Sequence, residues 1–260
     1  QAMEVRDMLK ARFQGGERGM SEPLAATRNL INASLLGNIA SAATQIGDTA
    51  TVFAYHGLVP TVQATVEMLR GKSRITPKDL GIVNHVAEEL SEMGWTGRAL
   101  HMTMKVSGFH AVDMMGKKLN MNAALIKNSR LVRSAKGEAE FRAKYEPAFG
   151  EDIGQVINDL KNRRMSENVE LLAFNELSDF QPISKAELPQ MYLEHPNGRI
   201  LYQLKTYQLK QMDVVRREAY QEIASGEPRR MAKGAKRLMI LGTGYALAGV
   251  APDAIKDWVE

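Results

Sequence analysis

The sequence predicts an all-α fold: an irregular multi-helix bundle with one long amphipathic helix near the C-terminal end. Three observations lead there. Apolar residues recur three and four apart along nearly all of the 260 residues, and the strict alternation of a half-buried strand is scarce. The composition, 44% hydrophobic and 25% charged, is that of a chain that packs a core in water. At this length the core can be large enough to hold without covalent staples, and none is available, since Cys is absent. That absence also removes thiolate metal sites and leaves the redox compartment open.

Taken in order, a first helix is expected over Ala2 to Phe13, stopped by Gly15 and Gly16, each of which costs about 1 kcal/mol inside a helix. Ser21 caps a second, with Pro23 in its first turn, where a missing N–H does no harm. From Asn29 to Gly47 there is no charge at all. The run is long enough to span a bilayer, but Asn, Ser, Thr and Gln interrupt it, so burial against another helix is expected instead. Ala33, Gly37 and Ser41, spaced by four, are the candidate helix-packing residues, because small side chains let backbones approach closely.

Pro60 opens a short helix ending at Gly71, and Thr76-Pro77 gives the next an N-cap with Pro at its first position, running to about Met93. A helix through Asp113, Lys117, Asn122 and Leu125 carries Met114, Met115, Leu119 and Met121 on or beside its buried face. The 15 Met suit the irregular gaps of a helical core. Between Lys136 and Lys161, Phe141, Tyr145 and Phe149 share one helical face, with Pro147 and Gly150 as breaks. Ser166 caps a helix through Leu171, Leu172 and Phe174. Gln181-Pro182, Leu188-Pro189 and Pro196-Asn197-Gly198 then mark an irregular connection. It divides a helical core domain, residues 1–193, from a C-terminal part, residues 194–260, expected to pack on that core. Ile200, Leu204, Tyr207, Met212, Val215, Ala219 and Ile223 set out the long amphipathic helix, which stops at Gly226 and Pro228. A last helix starts in the basic run after Arg229 and continues into uncharged Leu238 to Pro252. About 22 Å of helix falls short of a bilayer core, so burial is preferred and interfacial contact stays open.

The charge is unevenly placed. Residues 1–193 hold 23 basic and 22 acidic groups, whereas Glu194 to Arg237 hold ten basic against five acidic. The candidates for contact with phosphates or lipid headgroups are Arg199, Lys205, Lys210, Arg216, Arg217, Arg229, Arg230, Lys233, Lys236 and Arg237. A solvated helix face explains the same pattern.

Catalytic signatures fail one by one. Gly71-Lys72-Ser73 mimics the end of a phosphate loop, but Val66 stands where the first Gly belongs. His85 lies near Glu88 and Glu89 without a second ligand pair. His56, His101, His110 and His195 are scattered, and no nucleophile elbow accompanies them. Glu151 and Asp152 are adjacent and diverge around a helix, so they cannot flank one bond. The expectation is a protein without catalytic activity, cofactor or metal.

Several phrases resemble those of very large phage proteins described as polyvalent. They are Arg28-Asn29 leading to Leu36-Gly37-Asn38, Gln45-Ile46-Gly47-Asp48, Gly108-Phe109 with Gly116-Lys117 and Asn122-Ala123-Ala124, and Phe174-Asn175-Glu176-Leu177-Ser178-Asp179. The strongest is Asn197-Gly198-Arg199-Ile200-Leu201-Tyr202-Gln203-Leu204-Lys205-Thr206-Tyr207. The resemblance extends to internal virion proteins of podophages, including virion-packaged RNA polymerases and their companion ejection proteins. It implies residence in the virion interior and then the host envelope. It also implies assembly with other ejection proteins, with tail or portal components and with copies of itself, and contact with DNA or a membrane surface. The alternative it leaves is an accessory helical domain of a virion-packaged polymerase. A fragment does not inherit the activity of its neighbours.

Overall fold

The computed structural model describes residues 46–82, 108–180 and 215–259, with isolated positions between 102 and 106 and at 212–213. For 46–49, 109–110, 218 and 244–259 it describes the backbone alone. The described part is 80% helical and, among the described residues, contains no strand. The two helices expected before residue 45, the packing residues Ala33, Gly37 and Ser41, and the division at 193/194 lie outside it.

Helices α1 (Ile46–His56) and α2 (Leu58–Leu69) turn about one residue, Gly57, at φ +89. Pro60 sits in the first turn of α2, where no intrahelical donor is lost. The helix closes at Gly71 as expected: the Lys72 N–H reaches the Glu67 carbonyl at 2.8 Å, a Schellman-type end. Of the helix expected from Pro77 to Met93, the residues after Ile82 lie outside the described ones. Its first turn forms, with the Thr76 N–H and hydroxyl both donating to Asp79 Oδ2 at 2.7 and 2.9 Å. Gly81 then takes φ +63 and the Ile82 N–H returns to the Pro77 carbonyl at 2.9 Å, closing that turn. The turn drops Ile75 and Ile82 into the core.

Helix α3 (Phe109–Leu131) is the axis of the bundle. Every residue from Leu119 to Ile126 is buried, so the helix is covered all round at mid-length. It meets α1 and α2 on one side. Its other contacts are with α4 (Ala135–Phe149), α5 (Ile153–Asn162) and α6 (Glu167–Ser178). One of its buried amides is used in full, while Asn120 Nδ2 and Asn128 Nδ2 are buried without a hydrogen-bond partner. Asn122 Oδ1 accepts from the Arg74 N–H, and its Nδ2 donates to the Ile75 and Lys118 carbonyls, all at 2.8 Å, which satisfies the extended backbone before the Gly81 turn. Met121 is buried with Leu119, as expected. Met115 is 62% exposed, because the adjacent half-buried Met114 occupies the inward direction and the next residue is rotated away by about 100°.

Phe141, Tyr145 and Phe149 are all buried on α4, together with Ile153, Val156, Ile157 and Leu160 of α5. Ser134 caps α4, its hydroxyl accepting from the Gly137 N–H at 3.1 Å. Pro147 does not break α4: it falls in the last turn, where it removes one hydrogen bond, and Gly150 at φ +52 ends the helix. Ser166 stands at the N-cap of α6 in extended conformation without a side-chain cap bond, and Glu167 and Glu170 offset the helix dipole there. A second apolar cluster joins Val52 and Tyr55 of α1, Ala64 of α2, Leu119, Ala123 and Ile126 of α3, and Phe180.

Of the long helix expected over 200–223, the described end is a π turn, Arg216–Tyr220, followed by α7 (Gln221–Ala224), and it stops at Gly226, φ +72. The longest described helix is α8, Pro228–Val259, 32 residues, which packs on α1 and crosses α7. It passes through Pro252, the expected stop, because a single proline removes one bond from a ladder that both flanks sustain. Among the described residues, no helix is long and apolar enough to cross a membrane.

Candidate functional site

Two clusters of charged side chains stand out, one on the surface and one in the core. The surface cluster lies where α8 crosses α7. Gly234 makes the crossing close: a Cβ there would come within 2.7 Å of the Ala219 carbonyl oxygen. Glu222 faces the crossing and accepts from Arg230 Nε at 2.9 Å, with Lys233 Nζ at 3.4 Å. The Arg230 hydrogen bond holds the Glu222 carboxyl below its usual range, and Glu222 raises Arg230 in return. Arg216 and Arg217 pair with Asp213 at 3.3 and 2.9 Å, and Arg217 also approaches the Asp179 carbonyl at 3.4 Å.

Arg229, Lys233 and Lys236 follow one another at spacings of four and three, so they form one exposed stripe along α8. Among the described residues, no carboxylate pairs with Arg229 or Lys236. Arg237, next to Lys236, is half-buried. The structure therefore sorts the candidate cations: Arg216, Arg217 and Arg230 are tied within the chain, Lys233 is shared with Glu222, and Arg229 and Lys236 face solvent. Arg199, Lys205 and Lys210 lie outside the described residues. Exposed Met231 and Leu238 lie on the opposite side of α8 from the basic stripe, and exposed Met239 on its flank.

The core cluster leaves almost no trace in the sequence. His56 at the end of α1, Asn120 on α3, Lys144 on α4 and Glu176 on α6 converge around Tyr55. His56 Nε2 lies 2.8 Å from Asn120 Oδ1. Its ring meets Tyr55 edge-on at 4.8 Å and stacks on Phe180 at 6.5 Å. Lys144 Nζ donates to Glu176 Oε1 and the Tyr145 hydroxyl, both at 2.8 Å, and to the Tyr55 hydroxyl at 3.3 Å. Lys127 Nζ sits 4.5 Å from the Tyr55 ring centre and donates to its carbonyl at 3.1 Å.

Burial, aided by the Lys127 charge, pushes the His56 imidazole down to about 3, so the ring is neutral at ordinary pH. Burial works against both charges of the ion pair and is outweighed: Glu176 is held below the usual carboxylate range by Lys144, and Lys144 is raised by Glu176. Chemically the two pairs tie four helices together around Tyr55, while His56 Nδ1, Asn120 Nδ2 and Glu176 Oε2 are buried without a hydrogen-bond partner. Single-sequence reading separates its members by up to 120 positions. The one local signal is Tyr55-His56 directly before Gly57, polar rings at a helix end facing the core.

Among the described residues no group of three or more His, Asp or Glu side chains is placed to share a metal ion. His85, His101 and His195, with Glu88 and Glu89, lie outside the described residues. No family model, curated protein or solved structure matches this chain.

Proposed function

We propose that this chain is a non-enzymatic helical segment of a phage internal virion protein, carried inside the virion and delivered into the host envelope, where it helps form a conduit for the genome. The observation that carries the reading is the basic stripe Arg229, Lys233, Lys236 on α8. Cations at helical spacing on a rigid rod neutralise phosphates without reading bases, which suits DNA of any sequence sliding past. The all-helical bundle and the phrases resembling podophage ejection proteins support the same reading. Its partners are other ejection proteins, tail or portal components and further copies of the chain.

The test is binding of a short DNA duplex, followed by fluorescence anisotropy across a salt series. Affinity that falls steeply with salt, equally for unrelated sequences, is expected. Absent or salt-insensitive binding rejects the DNA-contact reading.

A further inference from the structure

One end of the bundle gathers arginines that lie far apart in the part of the sequence whose charge is nearly balanced. Hydrogen bonds fix the place. On α2, Glu67 accepts from Gln63 at 2.8 Å and pairs with Arg74 Nε at 3.6 Å. Gln63 accepts in turn from Arg130, in the last turn of α3, at 2.8 Å. Arg133 follows in the link from α3 to α4, and Lys161 joins that link's far side to the end of α5 by donating to Glu138 at 2.7 Å. Arg163 closes α5 two residues later. Arg74, Arg133 and Arg163 thus reach the same end of the bundle from three segments.

Their charges are poorly matched. The Arg74 side chain is 16% exposed. Burial lowers its guanidinium below the ordinary value; Glu67 opposes this, and the positive charges of Arg163 and Arg133 add to the lowering. Among the described residues no carboxylate forms an ion pair with Arg133 or Arg163, both exposed, and Glu138 is taken by Arg142 and Lys161. Arg163 also takes φ +56, the one positive value outside glycine among the described residues. The Arg164 N–H reaches the Asp159 carbonyl at 2.8 Å around it, a helix end that ordinarily takes Gly. A cation there offsets the helix dipole, but Lys161 in the last turn of α5 already does so. Guanidinium groups that repel one another, one of them in a strained backbone position, point to a ligand rather than to folding.

We propose that Arg74, Arg133 and Arg163 form a binding site for a terminal phosphate, a dianion carried free or on a phosphomonoester. The guanidinium fork matches phosphate oxygens two at a time, which favours arginine over lysine. Three such groups against the single Glu67 carboxylate leave two charges to be met. A terminal phosphate supplies them above about pH 6, and a backbone diester, with one charge, does not. The site shares no residue with the α8 stripe and does not rest on the DNA-contact reading.

Inorganic phosphate is the probe. Titration calorimetry of the full chain, against chloride at matched ionic strength, should show one phosphate bound per chain. Arg163→Gly separates ligand from fold, because glycine suits φ +56 better than arginine does. It should hold or raise the thermal midpoint while lowering phosphate affinity at least about tenfold. Arg133→Gln, in an exposed link, should weaken binding likewise. Displacement of phosphate by a 5′-phosphorylated trinucleotide, but not by its 5′-hydroxyl counterpart, would assign the monoester; displacement by neither would assign free phosphate. No binding beyond the chloride control, binding that both variants leave unchanged, or equal displacement by the two trinucleotides would each overturn the proposal.

Discussion

Lys144 Nζ lies 2.8 Å from Glu176 Oε1, but the two ends of this pair differ in exposure: the Glu176 side chain is 1% exposed and that of Lys144 44%. The lysine reaches inward from the surface of α4 to neutralise an anion set deep in α6. The asymmetry decides what each substitution does. Lys144→Met strands an unpaired carboxylate in the core, which costs about 3–5 kcal/mol, whereas Glu176→Gln removes the charge at its buried end and leaves Lys144 able to turn toward water. Urea unfolding should show Lys144→Met as much the worse of the two. The double variant should recover most of the loss, since the stranded charge is then gone. Equal effects would mean that the lysine is held as firmly as the glutamate.

His56 makes stability depend on pH. Its folded value of about 3 lies below the ordinary 6.5, so between those values the unfolded chain binds the proton and the folded one does not. Stability is therefore complete above about pH 6.5 and falls with acidification by up to roughly 1.4 kcal/mol per pH unit. Glu176, also lowered, acts in the same direction below the usual carboxylate range. Replacing His56 with Gln removes the imidazole titration while keeping an amide for Asn120. Denaturation midpoints measured between pH 7 and pH 4 should fall less steeply in the variant. A parallel pair of curves would show that His56 charges without resistance.

What the sequence made legible was periodicity. Phe141, Tyr145 and Phe149 announced the buried face of α4, and Gly71, Gly150 and Gly226 marked helix ends, because both signals act within a few residues. The misplacements share a physical cause. Thr76 and Pro77 mark a turn, but nothing local says that Gly81 will reverse the chain to seat Ile82. Pro147 and Pro252 look like stops, yet a proline removes one bond and a packed helix tolerates that. For the sites, the excess of basic residues was visible, but which of them are neutralised depends on Glu222 and Asp213 across helix crossings. The cluster of His56, Asn120, Lys144 and Glu176 is assembled only by the bundle, from four helices.

Gly234 tests the crossing that presents the basic stripe. A methyl group there would press on the Ala219 carbonyl oxygen at 2.7 Å and on Glu222 Cβ and Ile223 Cγ1 at 2.9 Å. Two of these neighbours are backbone or first side-chain atoms, which cannot swing away. Although alanine is the better helix former by about 1 kcal/mol, overpacking of this kind costs about 1–3 kcal/mol. Gly234→Ala should lower the thermal midpoint, and Gly242→Ala on the same helix, with nothing within 4 Å, should raise it slightly. Stabilisation by both would place α8 farther from α7 than described.

The salt dependence of DNA binding separates cations that face solvent from those already paired. Removing one cation that neutralises a phosphate lowers the slope of log affinity against log salt by about 0.9. Arg229→Gln/Lys236→Gln should therefore flatten it by nearly two units. Arg230→Gln should change it less, because Glu222 already holds that guanidinium at 2.9 Å. Glu222→Gln makes the opposite prediction: it releases Arg230 and Lys233 together, so affinity should rise and the slope steepen while the fold loses two surface ion pairs worth little each. If Glu222→Gln weakened binding instead, Glu222 would be needed to aim Arg230 and Lys233, and the stripe would work by position rather than by charge.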